Sequence, residues 1–378
     1  MRPRYDVAVI GAGPAGSAAA AAMAQRGWHV ALIERSRLPR HKVCGEFLSP
    51  ESQETLQSLG LRDDLATRDP VPLSGATLSS QRGQTLEMAL PSTAWGLSRW
   101  AMDEALAHGA ARYGATLLTE TTVSAVEAEG DDYRLQIRRR TGKAELRART
   151  VLMAGGRSST NALPPAPSSR PRDQLFVGMK SHVTGITMPN RVELFLFDGG
   201  YIGINAVESG ALNLCLLARY DAFAQGGRTM AGMIDSIARQ NADFAARLRG
   251  ATLLEETTCT VAAVDTHRPA APWDGMACLG DTASMIPPLC GDGMAMALRS
   301  ATLCAPLADA FLRGAIDRAT WEQRYRHAWH REFDGRLRVG RSLQSLLSRG
   351  PLAEGLLGVG RLVPPLADYM VRATRGAV

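Results

Sequence analysis

Residues 5–10 form a short apolar, β-branched run, and residues 17–24 an alanine-rich one. The first has no helical period and the second is made of residues that lose little side-chain entropy in a helix. Between them lies Gly11-Ala-Gly13-Pro-Ala-Gly16; after them come Gly27 and a second apolar run ending at Glu34. The pattern predicts strand, tight turn, helix and strand over the first thirty-four residues, with Gly27 stopping the helix.

Further along, residues 51–61 read as a short helix ending at Gly60. Alternation over 76–90 around Gln81-Arg-Gly83 reads as a β-hairpin. A helix starts at Ser98 and runs to Tyr113. Strands follow at 115–118, 122–126, 133–139, 144–149 and 150–153, the last ending in the turn Ala154-Gly155-Gly156. Past a Pro-rich boundary at 164–171, strands are expected at 177–183, 191–197, 201–207 and 211–217, and a helix-rich stretch at 229–248. Another strand at 260–264 leads back to Gly280-Asp281, and a helix is expected over 295–312. The remainder, 315–378, reads as helical and basic.

This order predicts an α/β fold: a Rossmann-like dinucleotide-binding domain with an antiparallel β-sheet domain inserted twice, and C-terminal helices. The nucleotide domain would take residues 1–72, 95–170 and 262–312, the β-sheet substrate domain 73–94 and 171–261, and the C-terminal segment 313–378.

In the spacing Gly11-x-Gly13-x-x-Gly16 each glycine has a separate reason: a sharp exit from the strand, close approach of a phosphate, and tight packing of helix on strand. A pyrophosphate would meet the helix N-terminus, and Glu34 would accept the ribose hydroxyls of an adenosine while repelling a 2′-phosphate. FAD or NAD is therefore expected rather than NADP. The loop from Arg35 through Arg40, Lys42, Cys44, Gly45 and Glu46 is dense in cations. It is read either as a solvated basic loop or as a cover for the dinucleotide, with Arg35 near the adenosine and Cys44-Gly45-Glu46 near the reactive ring. Asp281 would accept from a ribityl hydroxyl, and Gly291 to Met294 would present helix N–H groups to a reduced flavin.

Formal net charge is +6, carried almost wholly by arginine, since lysine occurs only at 42, 143 and 180. That balance reflects either a coding bias or a preference for anionic substrates or a membrane surface. The six cysteines, at 44, 215, 259, 278, 290 and 304, show no C-x-x-C pair or neighbouring histidine. Structural zinc and a disulfide framework are thus not expected. No signal peptide and no apolar run of about 20 residues is visible, so a cytoplasmic protein is the expectation. The apolar run at 352–363 is read as part of a helical layer over the β-domain, or else as a surface helix in peripheral contact with a membrane. A monomer or dimer without nucleic-acid partners is expected.

Gly11 to Gly16 with Glu34, Pro39 to Cys44-Gly45-Glu46, Arg99 with Asp103, and Gly280-Asp281 through Pro288, Gly291 and Gly293 together resemble FAD-dependent oxidoreductases of the p-hydroxybenzoate hydroxylase-like class. The similarity is greatest to the geranylgeranyl reductase-like branch. The resemblance implies FAD bound extended, its adenosine at Glu34 and Arg35 and its pyrophosphate near Gly13, Arg99 and Asp281. The isoalloxazine would lie between the nucleotide domain and the β-sheet. The cofactor residues so expected are Gly11, Gly13, Ala15, Gly16, Glu34, Arg35, Cys44, Gly45, Arg99, Val123, Asp281, Pro288, Gly291, Gly293 and Met294.

Three departures narrow the chemistry. The class's A-D-G-R-S segment reads Ala154-Gly155-Gly156-Arg157-Ser158, which weakens direct reduction by a nicotinamide. The tryptophan segment of flavin halogenases and the aromatic-rich segment of archaeal prenyl reductases are both replaced by Tyr201-Ile-Gly-Ile. Three classes of function remain: a monooxygenase for an aromatic, polyketide-like or lipidic substrate, a reductase or dehydrogenase of prenyl or other C–C bonds, and an electron-transfer flavoprotein. The electron donor is left open, with NADH or NADPH as one candidate external reductant. Candidate catalytic residues are Cys44, Glu46 and Cys290, the two thiols being either inert fillers or a redox pair. Candidate substrate contacts are Met179, Phe195, Phe197 and Tyr201.

Overall fold

A computed structural model describes residues 4–158, 171, 174–347, 354–355 and 357–358. β1 (Arg4–Ile10) enters α1 (Pro14–Gln25) through the glycine turn, and β2 (Val30–Ile33) returns beside β1 in parallel. β3 (Phe47–Leu48), α2 (Pro50–Ser58) and α3 (Arg62–Ala66) follow. α2 is the short helix expected at 51–61, and α3 is a further one beyond it. Next come the hairpin β4 (Val71–Ser79) and β5 (Thr85–Gly96), and α4 (Arg99–Arg112), whose N-cap Ser98 accepts from the Ala101 N–H. β6 (Thr116–Leu118), β7 (Thr122–Glu129), β8 (Asp132–Arg139) and β9 (Gly142–Met153) close the first half. The sequence suggests two strands at 144–153; one continuous strand is found. Its first part pairs with β8 antiparallel and its last part with β1 in parallel.

The second half carries β10 (Phe176–Thr184), β11 (Arg191–Phe197), β12 (Gly200–Ala206), β13 (Leu212–Arg219), α5 (Tyr220–Gln225), α6 (Met230–Gln240), α7 (Ala242–Arg247) and β14 (Thr252–Val264). Asn241 divides the helical stretch expected at 229–248, its side chain accepting from the Phe244 N–H to start α7. β15 (Ala277–Cys278), α8 (Gly293–Leu312) and α9 (Arg318–Leu347) complete the described elements.

Two sheets result. One runs β6-β2-β1-β9-β8-β7, with β15 added on β9; the other runs β14-β10-β13-β12-β11-β4-β5-β3 and is mixed, not antiparallel throughout as expected, because β11 and β4 pair in parallel. α1, α4 and α8 pack on the first sheet around an alanine-rich core, from Ala18 to Ala22 through Ala301 and Ala305. Small side chains there let helices and strands approach closely. α8 is long and apolar enough to cross a membrane by length and composition alone, yet 56% of its apolar window is buried inside the protein. α9 buries Trp321, Tyr325, Trp329, Phe333 and Leu337, one residue every fourth position, as one stripe. Arg336 ties it to Glu51 of α2 at 2.9 Å. Most of the 352–363 run lies outside the described residues. Of those described, Leu357 is buried with Leu78 and Leu347, and Glu354 accepts from the Ser80 hydroxyl.

Candidate functional site

The two glycine turns lie side by side. A Cβ on Gly11, where φ is +104°, would stand 2.4 Å from the Ala154 carbonyl oxygen; one on Gly16 would stand 1.8 Å from the Gly11 oxygen. Neither position has room for a side chain. Beyond them opens a cleft of about 430 Å³. Gly13, Ala15, Arg35, Arg40, Lys42, Cys44, Gly45, Glu46, Arg99, Gly155, Arg157, Asp281, Pro288, Gly291, Gly293 and Met294 are among the residues that line it.

At one end Glu34 is buried and accepts from the Ala12 N–H at 3.0 Å, the Ser36 N–H at 3.0 Å and Arg40 at 2.8 Å. Burial works against its charge, but Arg40 and Lys42 hold the carboxyl below the ordinary carboxylate range. Arg40 also pairs with Asp103, which receives a bidentate pair from Arg99 at 2.7 and 2.8 Å. Burial and the neighbouring Arg40 and Arg99 bring Lys42 down to about 8. Cations thus outnumber carboxylates along this wall, as a diphosphate requires.

At the other end the second sheet forms the floor. Strand alternation sends Lys180 and His182 of β10, Asn205 of β12 and Asn213 of β13 to the cleft side. Asn213 donates to the Cys44 carbonyl and Asn205 to that of Glu46. The Glu46 side chain accepts from His182 Nε2 at 2.7 Å and from the Arg99 N–H at 2.9 Å, with Lys180 Nζ 3.1 Å away. Burial opposes its ionisation, but His182 and Lys180 keep the Glu46 carboxyl low. Glu46 itself sits at φ +52°, a conformation an L-residue holds only when its surroundings enforce it. Here loop, helix α4 and sheet are the enforcing contacts.

A second, apolar cavity of about 180 Å³ adjoins the cleft. Gly45, Phe47, Pro288 and Gly291 line both. Its walls include Leu78, Met88, Val192, Leu194, Tyr201, Cys215, Cys290, Leu343 and Leu347. The Tyr201 hydroxyl is buried and has no hydrogen-bond partner among the described residues.

Residues 4–188 match the model of the FAD binding domain. Over 361 residues the chain is 28% identical to digeranylgeranylglycerophospholipid reductase 2 of Methanopyrus kandleri, covering 87% of this chain and 83% of that protein. The chain is an FAD-dependent oxidoreductase. It is 37% identical over 128 residues to a menaquinone reductase of Mycolicibacterium smegmatis, a match that covers 32% of this chain and spans about a third, 31%, of that protein's length. Its fold matches a geranylgeranyl bacteriochlorophyll reductase-like protein of Thermoplasma acidophilum (TM-score 0.77, 20% identity, 100% of this chain and 94% of that one). It also matches the flavin-dependent brominase Bmp2 (TM-score 0.81, 17% identity, 98% and 93%).

The residues present fit FAD in this oxidoreductase. The turns are closed by glycine where a Cβ would collide, a Cβ on Gly13 would stand 3.5 Å from the Arg99 guanidinium, and one on Gly293, where α8 begins, would meet nothing within 4 Å. Glu34 would fix the turn and Arg40 behind the adenosine, with Arg35 beside it; Arg99, Arg40 and Lys42 would hold the diphosphate, and Cys44, Gly45, Pro288, Gly291 and Met294 the ring.

Of the residues expected at the cofactor, Gly11 and Gly16 shape the turn from behind the cleft, and Glu34 also stands behind its wall, both of its oxygens taken by Ala12, Ser36 and Arg40. Val123 does not line it; this side chain is buried in the core of the flavin domain, on β7 opposite Ile137. Met179, Phe195 and Phe197 also stand elsewhere than expected. They face α6 and α7, where Phe195 meets Phe244 at 5.4 Å between ring centroids. The reason is parity: on β11 the side chains of Val192 and Leu194 take the cavity side, so Phe195 and Phe197 take the other. Tyr201 alone of the four lines the cavity.

Cys44 lines the cleft and Cys290 the cavity, and both are free thiols. Burial raises both above the ordinary thiol range, so neither is a ready thiolate. Sequence reasoning misses Lys180, His182, Asn205 and Asn213. Their signal is a set of polar residues at alternate positions of apolar strands, Lys180 being one of only three lysines in the chain.

Proposed function

We propose that this oxidoreductase is a flavin monooxygenase for an apolar, oxygen-bearing substrate such as a phenol or polyketide-like aromatic. The observation that carries the reading is the Tyr201 hydroxyl. It is buried without a partner among the described residues, in an apolar cavity that joins the cleft at Gly45, Phe47, Pro288 and Gly291. An unpaired buried hydroxyl costs about 1–3 kcal/mol, and a substrate oxygen placed against it recovers that loss. Burial raises the phenol well above its usual range, so Tyr201 stays protonated and donates. Leu78, Met88, Leu194 and Leu347 hold the apolar body and exclude water. FAD, when bound, supplies the redox chemistry, reduced by an external donor of the NADH or NADPH kind. The loop Cys44–Glu46, fixed from below by Asn213 and Asn205, would hold the ring beside the junction of cleft and cavity.

A second reading, reduction of a C–C double bond in a prenyl-type lipid, is favoured by the similarity to the Methanopyrus kandleri reductase over most of both chains. Reduced holoprotein mixed with substrate under ¹⁸O₂ separates the two. Product carrying one ¹⁸O supports oxygenation. Stoichiometric reoxidation of the flavin by an alkene without oxygen overturns it in favour of reduction.

A further inference from the structure

Four titratable side chains form one connected line from the cleft mouth to its buried floor. His41, half-buried, is tilted against the exposed Trp100 at 4.7 Å between ring centroids. Its Nδ1 lies 3.1 Å from Lys180 Nζ. Lys180, wholly buried, lies 3.1 Å from one Glu46 oxygen, and His182 Nε2 lies 2.7 Å from the other. Glu46 borders the cleft floor with its carboxyl wholly buried just beneath it, and its backbone N–H donates to the Cys44 thiol at 3.4 Å.

A structural ion pair would account for Lys180 and Glu46 alone. It does not account for a histidine at each end, one half-exposed and one buried, each within hydrogen-bond distance of the pair. Burying two charges and two imidazoles is costly where apolar packing would serve. His41, Lys180, Glu46 and His182 are groups that exchange protons. We propose that they form a proton path between bulk water at His41 and the cleft floor at Glu46. This rests on the flavoprotein reading only for what the path serves, and not for its existence.

The transfer conserves charge. A group in the cleft gives its proton to the Glu46 carboxylate, while the Lys180 ammonium gives one to His41 Nδ1. The Glu46 carboxyl then returns a proton to the Lys180 amine, His41 releases its Nε2 proton to water, and a turn of its ring brings the bare nitrogen back toward Lys180. One proton leaves the cleft and every group recovers its charge. The reverse sequence delivers one. Other ionisable groups face the line: Glu256 and Cys259 from β14, Cys215 from β13 opposite Lys180, and Arg99 from α4. Burial first, then Lys180 and His182, push His41 down to about 4. At neutral pH the ring is therefore uncharged, and its Nε2–H tautomer would leave Nδ1 facing Lys180 as the acceptor.

The path is read directly on the ligand-free full chain by NMR, as the exchange of the His182 imidazole N–H with water. His41→Phe keeps the ring volume and removes the relay atom. Lys180→Met breaks the line in the middle. Exchange slowed at least about tenfold in His41→Phe, with the amide spectrum preserved, supports the path. Exchange unchanged or faster in a folded His41→Phe overturns it, whatever Lys180→Met does to stability. In the FAD-loaded enzyme, His41→Ala should lose turnover by about a hundredfold and recover it with added imidazole. Loss without rescue overturns the catalytic use of the path. A chain that fails to bind FAD sinks the flavoprotein reading and leaves the exchange result standing.

Discussion

Arg40 joins the carboxylates of Glu34 and Asp103, standing 2.8 Å from the first and ion-paired to the second. One guanidinium thus links the end of β2 to α4, and Asp103 passes the link on to Arg99 at 2.7 Å. Asp103 is wholly buried. Removing it leaves two arginines in a dry site with one carboxylate fewer. Asp103→Ala should cost about 3–5 kcal/mol, as breaking a buried pair does. Urea unfolding followed by circular dichroism measures the cost, and fluorescence titration should show weakened FAD binding.

Gly16→Ala puts a methyl 1.8 Å from the Gly11 carbonyl oxygen. Backbone cannot move aside as a side-chain tip does, so the cost should be about 3 kcal/mol or more. Gly45→Ala meets nothing within 4 Å and should stay within about 0.5 kcal/mol of the parent. Thermal melts of the two variants side by side test this; equal melting points would contradict the packed turn.

Tyr201→Phe removes a buried hydroxyl that has no partner among the described residues. The ligand-free protein should gain about 1 kcal/mol, while affinity for an oxygen-bearing substrate should fall about tenfold. An unchanged KM in a folded variant would take Tyr201 out of substrate recognition.

The pH dependence has a defined sign. His41 is depressed to about 4 from its ordinary 6.5. The unfolded chain therefore takes up a proton before the folded one does. Stability contributed by neutral His41 is present above pH 6.5 and is lost as pH falls toward 4. His41→Asn should flatten the stability curve across that window. Glu34, Glu46 and Asp103 are also held low. Their contribution is present above about pH 4 and is lost below it as each folded carboxyl takes its proton. Urea midpoints of parent and variant from about pH 3 to 8 check both windows.

The glycine turn, the acidic end of β2 and the return at Gly280-Asp281 were legible because each follows from a local backbone demand. So was the inserted sheet, whose strands alternate plainly. What was not legible needed a choice between two faces. Periodicity says that residues 195 and 197 share a side of β11, but which side meets the cavity depends on α6 and α7 covering the other. Lys180 and His182 were hidden for the same reason. Without knowing that the loop at Cys44–Glu46 lies across β10, two polar residues in an apolar strand have no visible partner. Val123 carried no local signal at all, being one valine in an ordinary half-buried strand.

That division of the second sheet separates support from selectivity. Phe195, Phe197 and Met179 belong to the scaffold that keeps the sheet folded against α6 and α7. Val192, Leu194 and Tyr201 line the cavity instead. Substitutions confined to the second set can retune what the enzyme accepts while leaving its foundations alone, so successive residues of one strand are free to drift under unrelated pressures.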